Sequence, residues 1–275
     1  MVRKLHFQWY KTHEKMRAIW NGAIGFGLVN IPIKIYSAVQ TSKLDLDMLD
    51  KSDLSNIRFK RINEKTGKEV KWENIVKGFL KNDQYIVLED EDFEAALPEK
   101  TKVLSIDQFV KEIGIDSVYF ENPYYIEPQK NGENAYKLLL HALRKTKMAG
   151  VGTFVMRDQE VLGIIRPYND EILVFNRLRF AQEIRDYGDL KLPSGTAPKP
   201  TELKMAVSLI KQLSQEFDPT LYKNTYSSAL KKIINQKAKG KVRKTKKSEE
   251  PKRGKVIDLM AQLKASLQTT KTKEG

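Results

Sequence analysis

Over 31–36 the apolar positions recur at every second residue. Ile31, Ile33 and Ile35 alternate with Pro32, Lys34 and Tyr36, so a strand here buries one face and turns Lys34 to the other. The run 24–36 is apolar and β-branched, and Gly25, Gly27 and Pro32 divide it into strands joined by a bend or bulge. The run 57–62 puts Ile57 and Phe59 on one face and Arg58 and Lys60 on the other. With Gly67 in the turn and 69–72 as the return, it predicts a β-hairpin. Further strands are predicted at 85–88 and 102–106. A short helix between them opens on Glu89, Asp90, Glu91 and Asp92 and ends near Pro98. Carboxylates in a first turn suit the positive end of a helix.

The period lengthens in 133–148, where Tyr136, Leu139, Leu140 and Leu143 mark the inward face of an amphipathic helix. Three closely spaced strands follow at about 151–157, 161–166 and 171–175. Turns at Asp158-Gln159 and Tyr168-Asn169-Asp170 join them into an antiparallel meander. So many short strands predict a barrel or a sandwich. A Gly- and Pro-rich loop over 188–200 then leads into a helical region. Leu203, Val207, Ile210, Leu213 and Phe217 recur at helical spacing behind Thr201 as N-cap. Asp218 and Pro219 restart the chain as cap and first helical residue, and Tyr222, Tyr226, Leu230 and Ile233 line a second helix. The lysine-rich stretch 236–255 has the composition of a disordered linker. Beyond it, Val256, Leu259 or Met260, Leu263 and Leu267 share one helical face over 256–267. So short a helix is marginal alone in water. It either folds back on its own domain or docks into a partner.

Charge changes this picture by its distribution. The net charge is +14 over 275 residues. Residues 231–275 carry 15 Lys/Arg against 4 Asp/Glu, and residues 1–15 carry 4 against 1. The 215 residues between them carry 30 against 30, so any nucleic-acid surface on the body requires charges sorted onto faces. The tail supplies a salt-dependent attraction blind to sequence. The predicted hairpin gathers Arg58, Lys60, Arg61, Lys65, Lys68 and Lys71 around Phe59 and Trp72. Basic residues on a ribbon suit phosphate contacts, although an ordinary solvated hairpin face has the same composition. By face and clustering, the phosphate-contact residues are Lys34, Arg58, Lys60, Arg61, Lys65 and Lys68.

Catalytic chemistry finds little support. Cysteine is absent, which excludes disulfides, thiol catalysis and cysteine-ligated zinc and fits a cytoplasmic protein. The histidines are His6, His13 and His141, too few and too scattered for a Ser/His/Asp arrangement. Gly22, Gly25 and Gly27 have the wrong spacing for a nucleotide loop and read as bends or close packing. Asp90 and Asp92 raise a two-metal nuclease as a rival, but successive carboxylates on one turn point in different directions. No cofactor and no metal are expected. No apolar run approaches the roughly 20 residues that span a bilayer, and the N-terminus does not read as a signal peptide.

Several stretches, in this order, resemble the bacterial Ku family. They are 16–36 (MRAIWNGAIGFGLVNIPIKIY), 66–70 (TGKEV), 75–79 (IVKGF), 119–128 (YFENPYYIEP), 166–168 (RPY) and 178–185 (LRFAQEIR). The pattern from Phe217-Asp218-Pro219 through Tyr226 is similar too. The likeness runs from about 16 to 240 and resumes at 256–267. Residues 1–15 lie outside it, as an N-terminal extension with Met16 as an alternative start. Asn21 stands where the family often has Lys, so no DNA contact is assigned there. The resemblance implies a mixed, mainly β fold: a β-barrel core over 16–190, a helical arm over 191–240 for dimerisation, and a flexible basic tail over 241–275. It further implies a non-catalytic homodimeric ring on double-stranded DNA ends. The ring recruits an ATP-dependent DNA ligase in non-homologous end joining, with docking by Val256, Leu259, Met260, Leu263 and Leu267. The expected location is cytoplasmic and nucleoid-associated, with no membrane partner. The rivals are a nonspecific nucleoid- or RNA-binding basic protein and, further off, the metal-dependent nuclease.

Overall fold

The alternation at Ile31, Ile33 and Ile35 forms β2 (Val29–Ser37), antiparallel to β1 (Trp20–Phe26), and all three isoleucines are fully buried. Gly27 and Leu28 make the two-residue loop, and Gly27 has a φ of 54°. A tight hairpin turn needs such a positive angle at its first position, and glycine adopts it without steric cost. This computed structural model describes residues 16–96, 102–195 and 197–240. The expected extension 1–15, the tail 241–275 and its segment 256–267 lie outside the described residues.

After β2 the chain makes β3 (Lys77–Lys81) and β4 (Gln84–Leu88), which pair only with each other, and α1 (Asp90–Ala96). The remaining strands are β5 (Val103–Lys111), β6 (Phe120–Pro128), β7 (Met148–Val155), β8 (Glu160–Tyr168) and β9 (Ile172–Leu178). They close with the first hairpin into a barrel of order β1-β2-β6-β9-β8-β7-β5. The barrel alternative is therefore the correct one, and the chain is mainly β. Neighbours are antiparallel everywhere except β1 and β5. A closed ring of seven strands cannot alternate direction throughout, so one parallel seam is unavoidable. The strands meet closely there: a Cβ on Gly22 would lie 2.3 Å from the Lys102 carbonyl oxygen. Gly22 is a packing residue rather than part of a phosphate loop.

The barrel interior holds Ile24, Leu104, Ile126, Ile165 and Phe175. To this core α2 (Glu133–Thr146) adds Tyr136, Leu139, Leu140 and Leu143, its expected inward face. Each such side chain contributes about 1.5–3 kcal/mol on burial. The Tyr136 hydroxyl donates to the Ile126 carbonyl (2.9 Å) and accepts from the Leu173 N–H (2.7 Å), which ties the helix to β6 and β9. Burial pushes its pKa above the ordinary tyrosine value. A smaller cluster of Ala149, Ile164 and Leu178 packs with Ile115, Tyr119 and Phe120.

The predicted hairpin over 57–72 needs correction. Its turn forms, with the Gly67 N–H donating to the Asn63 carbonyl and Asn63 to the Lys68 carbonyl. The flanks do not become strands: their backbones share a single bridge, Ile62 with Glu69. Alternation specifies a strand only where a neighbour supplies hydrogen bonds and the apolar face has something to cover it.

The described residues fall into two units, 16–41 with 47–186, and 42–46 with 187–240. The second contains α3 (Pro200–Leu213) and α4 (Thr225–Ala238). Thr201 is not the N-cap of α3; Lys199 precedes the helix and Pro200 occupies its first position, where a missing N–H costs nothing. Asp218 and Pro219 open only a short 3-10 turn, Pro219–Leu221. Asn224 caps α4 by accepting the Ser227 N–H, so Tyr222 precedes the second helix. Asn224 and Ser227 also donate to the Ser42 hydroxyl and carbonyl. Neither arm helix contains a buried residue.

Candidate nucleic-acid interface

Between Asp47 and Ala96 no residue is buried. The segment is held by local bonds. Asp50 accepts the Ser52 N–H, Asp53 accepts the Ser55 N–H, and Leu49 bridges to Asn56. The Ser52 hydroxyl, which also donates to Asp50, and the Ser52 N–H hold Asp50 below the ordinary carboxylate pKa, and the Ser55 N–H does the same for Asp53. Asn63 accepts from the N–H groups of Lys65 and Thr66, fixing the loop on which Lys65 and Lys68 stand. The turn between β3 and β4 is Asn82-Asp83, both with positive φ, the conformation of a type I′ hairpin.

This segment carries a concentrated basic stretch. From Arg58 to Lys81 there are eight Lys/Arg against three Glu. The Lys60 ammonium donates to Glu69 at 2.6 Å, which holds its pKa above the usual lysine value. The Arg61 guanidinium lies 4.5 Å over the Trp72 ring and Lys77 lies 4.3 Å over the Phe93 ring, both cation–π contacts. Arg58, Lys65 and Lys68 are exposed and form no ion pair among the described residues. Five of the six expected phosphate-contact residues therefore share one exposed segment. Lys34 stands apart on β2, half-buried, in register with Asn21 on one side and Glu127 on the other. Glu127 also accepts the Tyr36 hydroxyl. Lys77 and Lys81 were missed as basic neighbours. Their signal was the Asn82-Asp83 turn between two five-residue runs, of which only the second was read as a strand.

Chemically, the segment presents cations and aromatic rings on exposed backbone, which suits contact with phosphates and stacked rings rather than bond making. The Asp92 carboxylate accepts the Glu89 N–H and so caps α1, the use expected of an acidic first turn. Among the described residues no three His, Asp or Glu side chains gather as a metal site. No helix among them is long and apolar enough to cross a membrane.

A family model described as the Ku70/Ku80 beta-barrel domain of Ku matches residues 25–206. The chain is 37% identical over 259 residues to the non-homologous end joining protein Ku of Coxiella burnetii (strain RSA 331 / Henzerling II), covering 92% of this chain and 94% of that one. It is 40% identical over 263 residues to the protein of the same name from Cupriavidus necator, covering 91% and 77%. Among solved structures, the SPOC domain of human PHD-finger protein 3 overlaps 59% of this chain and 97% of its own at a TM-score of 0.30 and 12% identity.

Proposed function

The chain belongs to the Ku family, and on that premise we propose that it is a non-catalytic protein that binds double-stranded DNA ends in non-homologous end joining. The observation that carries this reading is the segment 47–96, which buries nothing and concentrates eight basic residues against three acidic ones between Arg58 and Lys81. A segment of that kind is completed from outside, by a second copy and by a polyanion. A homodimer closed into a ring provides both. A closed ring loads only at a free end, so topology supplies end specificity without reading bases. In this reading Arg58, Lys60, Arg61, Lys65 and Lys68 meet phosphates, Lys60 exchanges Glu69 for one of them, and Lys34 adds a contact from the barrel wall.

The arm, residues 191–240, forms the dimer seam. Leu203, Val207, Ile210 and Leu213 are 40–65% exposed on one stripe of α3, and such a stripe seeks an isologous partner. The core over 16–190 holds the DNA. The basic tail over 241–275 adds nonspecific attraction in the cytoplasm, at the nucleoid. Its segment 256–267 docks an ATP-dependent ligase through Val256, Leu259, Met260, Leu263 and Leu267.

Gel-shift competition between matched linear and covalently closed circular duplexes tests the ring. Linear duplex competes and closed circles compete poorly; equal competition overturns the reading. For the tail, deletion of 256–275 abolishes ligase stimulation and leaves end binding intact. Normal stimulation by the truncated protein removes the docking assignment.

A further inference from the structure

We propose that a cleft at the C-terminal end of α2 docks an acidic peptide segment bearing apolar anchors, independently of the DNA-binding segment. The cleft has a volume of about 1240 Å³. Three separate pieces of the first unit line it: the end of α2 with Lys147 and Met148, the connection from β5 to β6, and the end of β8 with its following turn. Register brings the first two together, because Lys111 at the end of β5 pairs with Met148 at the start of β7.

The charges on this cleft are sorted. Its two carboxylates are already matched by arginines: Asp170 by Arg144 (2.9 Å) and Glu112 by Arg166 (3.4 Å). Arg144 also donates to the Asp170 backbone carbonyl, so that pair is anchored twice. Lys111, Lys145 and Lys147 are exposed and form no ion pair among the described residues. The lining thus keeps three uncompensated cations. Between them lies an apolar floor of half-buried Ile115, Phe120, Met148 and Pro167. Ile113 stands at its edge, 95% exposed.

This combination selects a ligand class. A duplex backbone offers phosphates to the lysines but nothing apolar to the floor. A peptide that alternates Asp or Glu with Leu or Phe satisfies both features. Its apolar side chains fill the recess, where binding energy concentrates, and its carboxylates reach the basic rim, which governs encounter and register. The volume exceeds that of a typical single small-molecule pocket and accommodates several side chains.

A fluorescein-labelled peptide of about twelve residues alternating Glu with Leu and Phe, titrated with the full chain, measures this by fluorescence anisotropy. The double variant Lys111→Glu/Lys145→Glu weakens binding at least about tenfold. Ile113→Asp weakens it at least about fivefold, and because this side chain is exposed the variant folds as the parent does. Linear-duplex binding stays unchanged in both. The proposal is overturned if the peptide does not bind, or if neither variant weakens it. It is equally overturned if an all-Glu peptide binds as tightly, which would make the cleft a plain anion site. Loss of duplex binding in the same variants would assign the face to DNA and overturn it as well.

Discussion

Ile31, Ile33 and Ile35 in β2 and Ile57 and Phe59 in the following segment belong to similar alternating patterns, yet the first three are fully buried and the other two are 45% and 81% exposed. What differs is the company. β2 is hydrogen-bonded to β1 and β6, and its inner face belongs to the same buried core as the leucines of α2. The segment at 57–62 has one backbone bridge to 69–72, and among the described residues it leaves Phe59 81% exposed. The barrel covers its apolar face with its own residues; the segment leaves its apolar side chains exposed.

The largest effect expected from this contrast is on the barrel side. Phe175 is fully buried and touches both Tyr124 and Phe154, so Phe175→Ala costs about 3–5 kcal/mol in urea unfolding. A loss below about 1 kcal/mol would mean that the barrel is not the stabilising core. On the other side, Arg58→Glu/Arg61→Glu/Lys65→Glu leaves unfolding unchanged but weakens duplex binding. It also makes the log–log salt dependence shallower by about 0.9 for each phosphate no longer neutralised, about 2.7 for three. An unaltered slope would detach the segment from DNA.

Tyr136→Phe comes next. It leaves the buried Leu173 N–H without its acceptor and costs about 1–3 kcal/mol. It also carries a pH signature. The hydroxyl's pKa is raised in the folded state, so its contribution is complete below the ordinary tyrosine value of about 10 and is lost as pH rises through the folded value. The phenylalanine variant lacks that alkaline component, as unfolding curves between about pH 8 and pH 11 would reveal. Smallest of all is Phe59→Ala. At 81% exposure it changes stability by less than about 0.5 kcal/mol, and a larger loss would show that the segment has cover within a single copy.

The sequence made β2 and α2 legible, because their burial period is local and unbroken. It made the meander β7–β9 legible instead as short apolar runs between polar turns, since β8 and β9 bury successive residues. It concealed β6, whose run FENPYYIEP is half-buried on both faces and so shows no alternation. It also concealed the parallel seam, since no local pattern announces that Ala23 will meet Val103. For the candidate interface, clustering of basic residues was visible, but whether they stand on a ladder depends on a partner strand that composition does not reveal. The cleft by α2 gave no signal at all. Lys111, Lys145 and Lys147 are brought together by the pairing of Lys111 with Met148.

That seam governs how the molecule assembles. The β1–β2 hairpin and β5 can join only after the chain between them, residues 38–102, has been looped out, so barrel closure must wait for a long-range encounter. The entropy of such a loop rises only with the logarithm of its length, about 0.6 kcal/mol for each doubling. The outlying segment is therefore open to lengthening, trimming or replacement at small thermodynamic cost to the barrel. The time taken to reach the folded state is where such changes will register, and a stopped-flow refolding rate reads it directly.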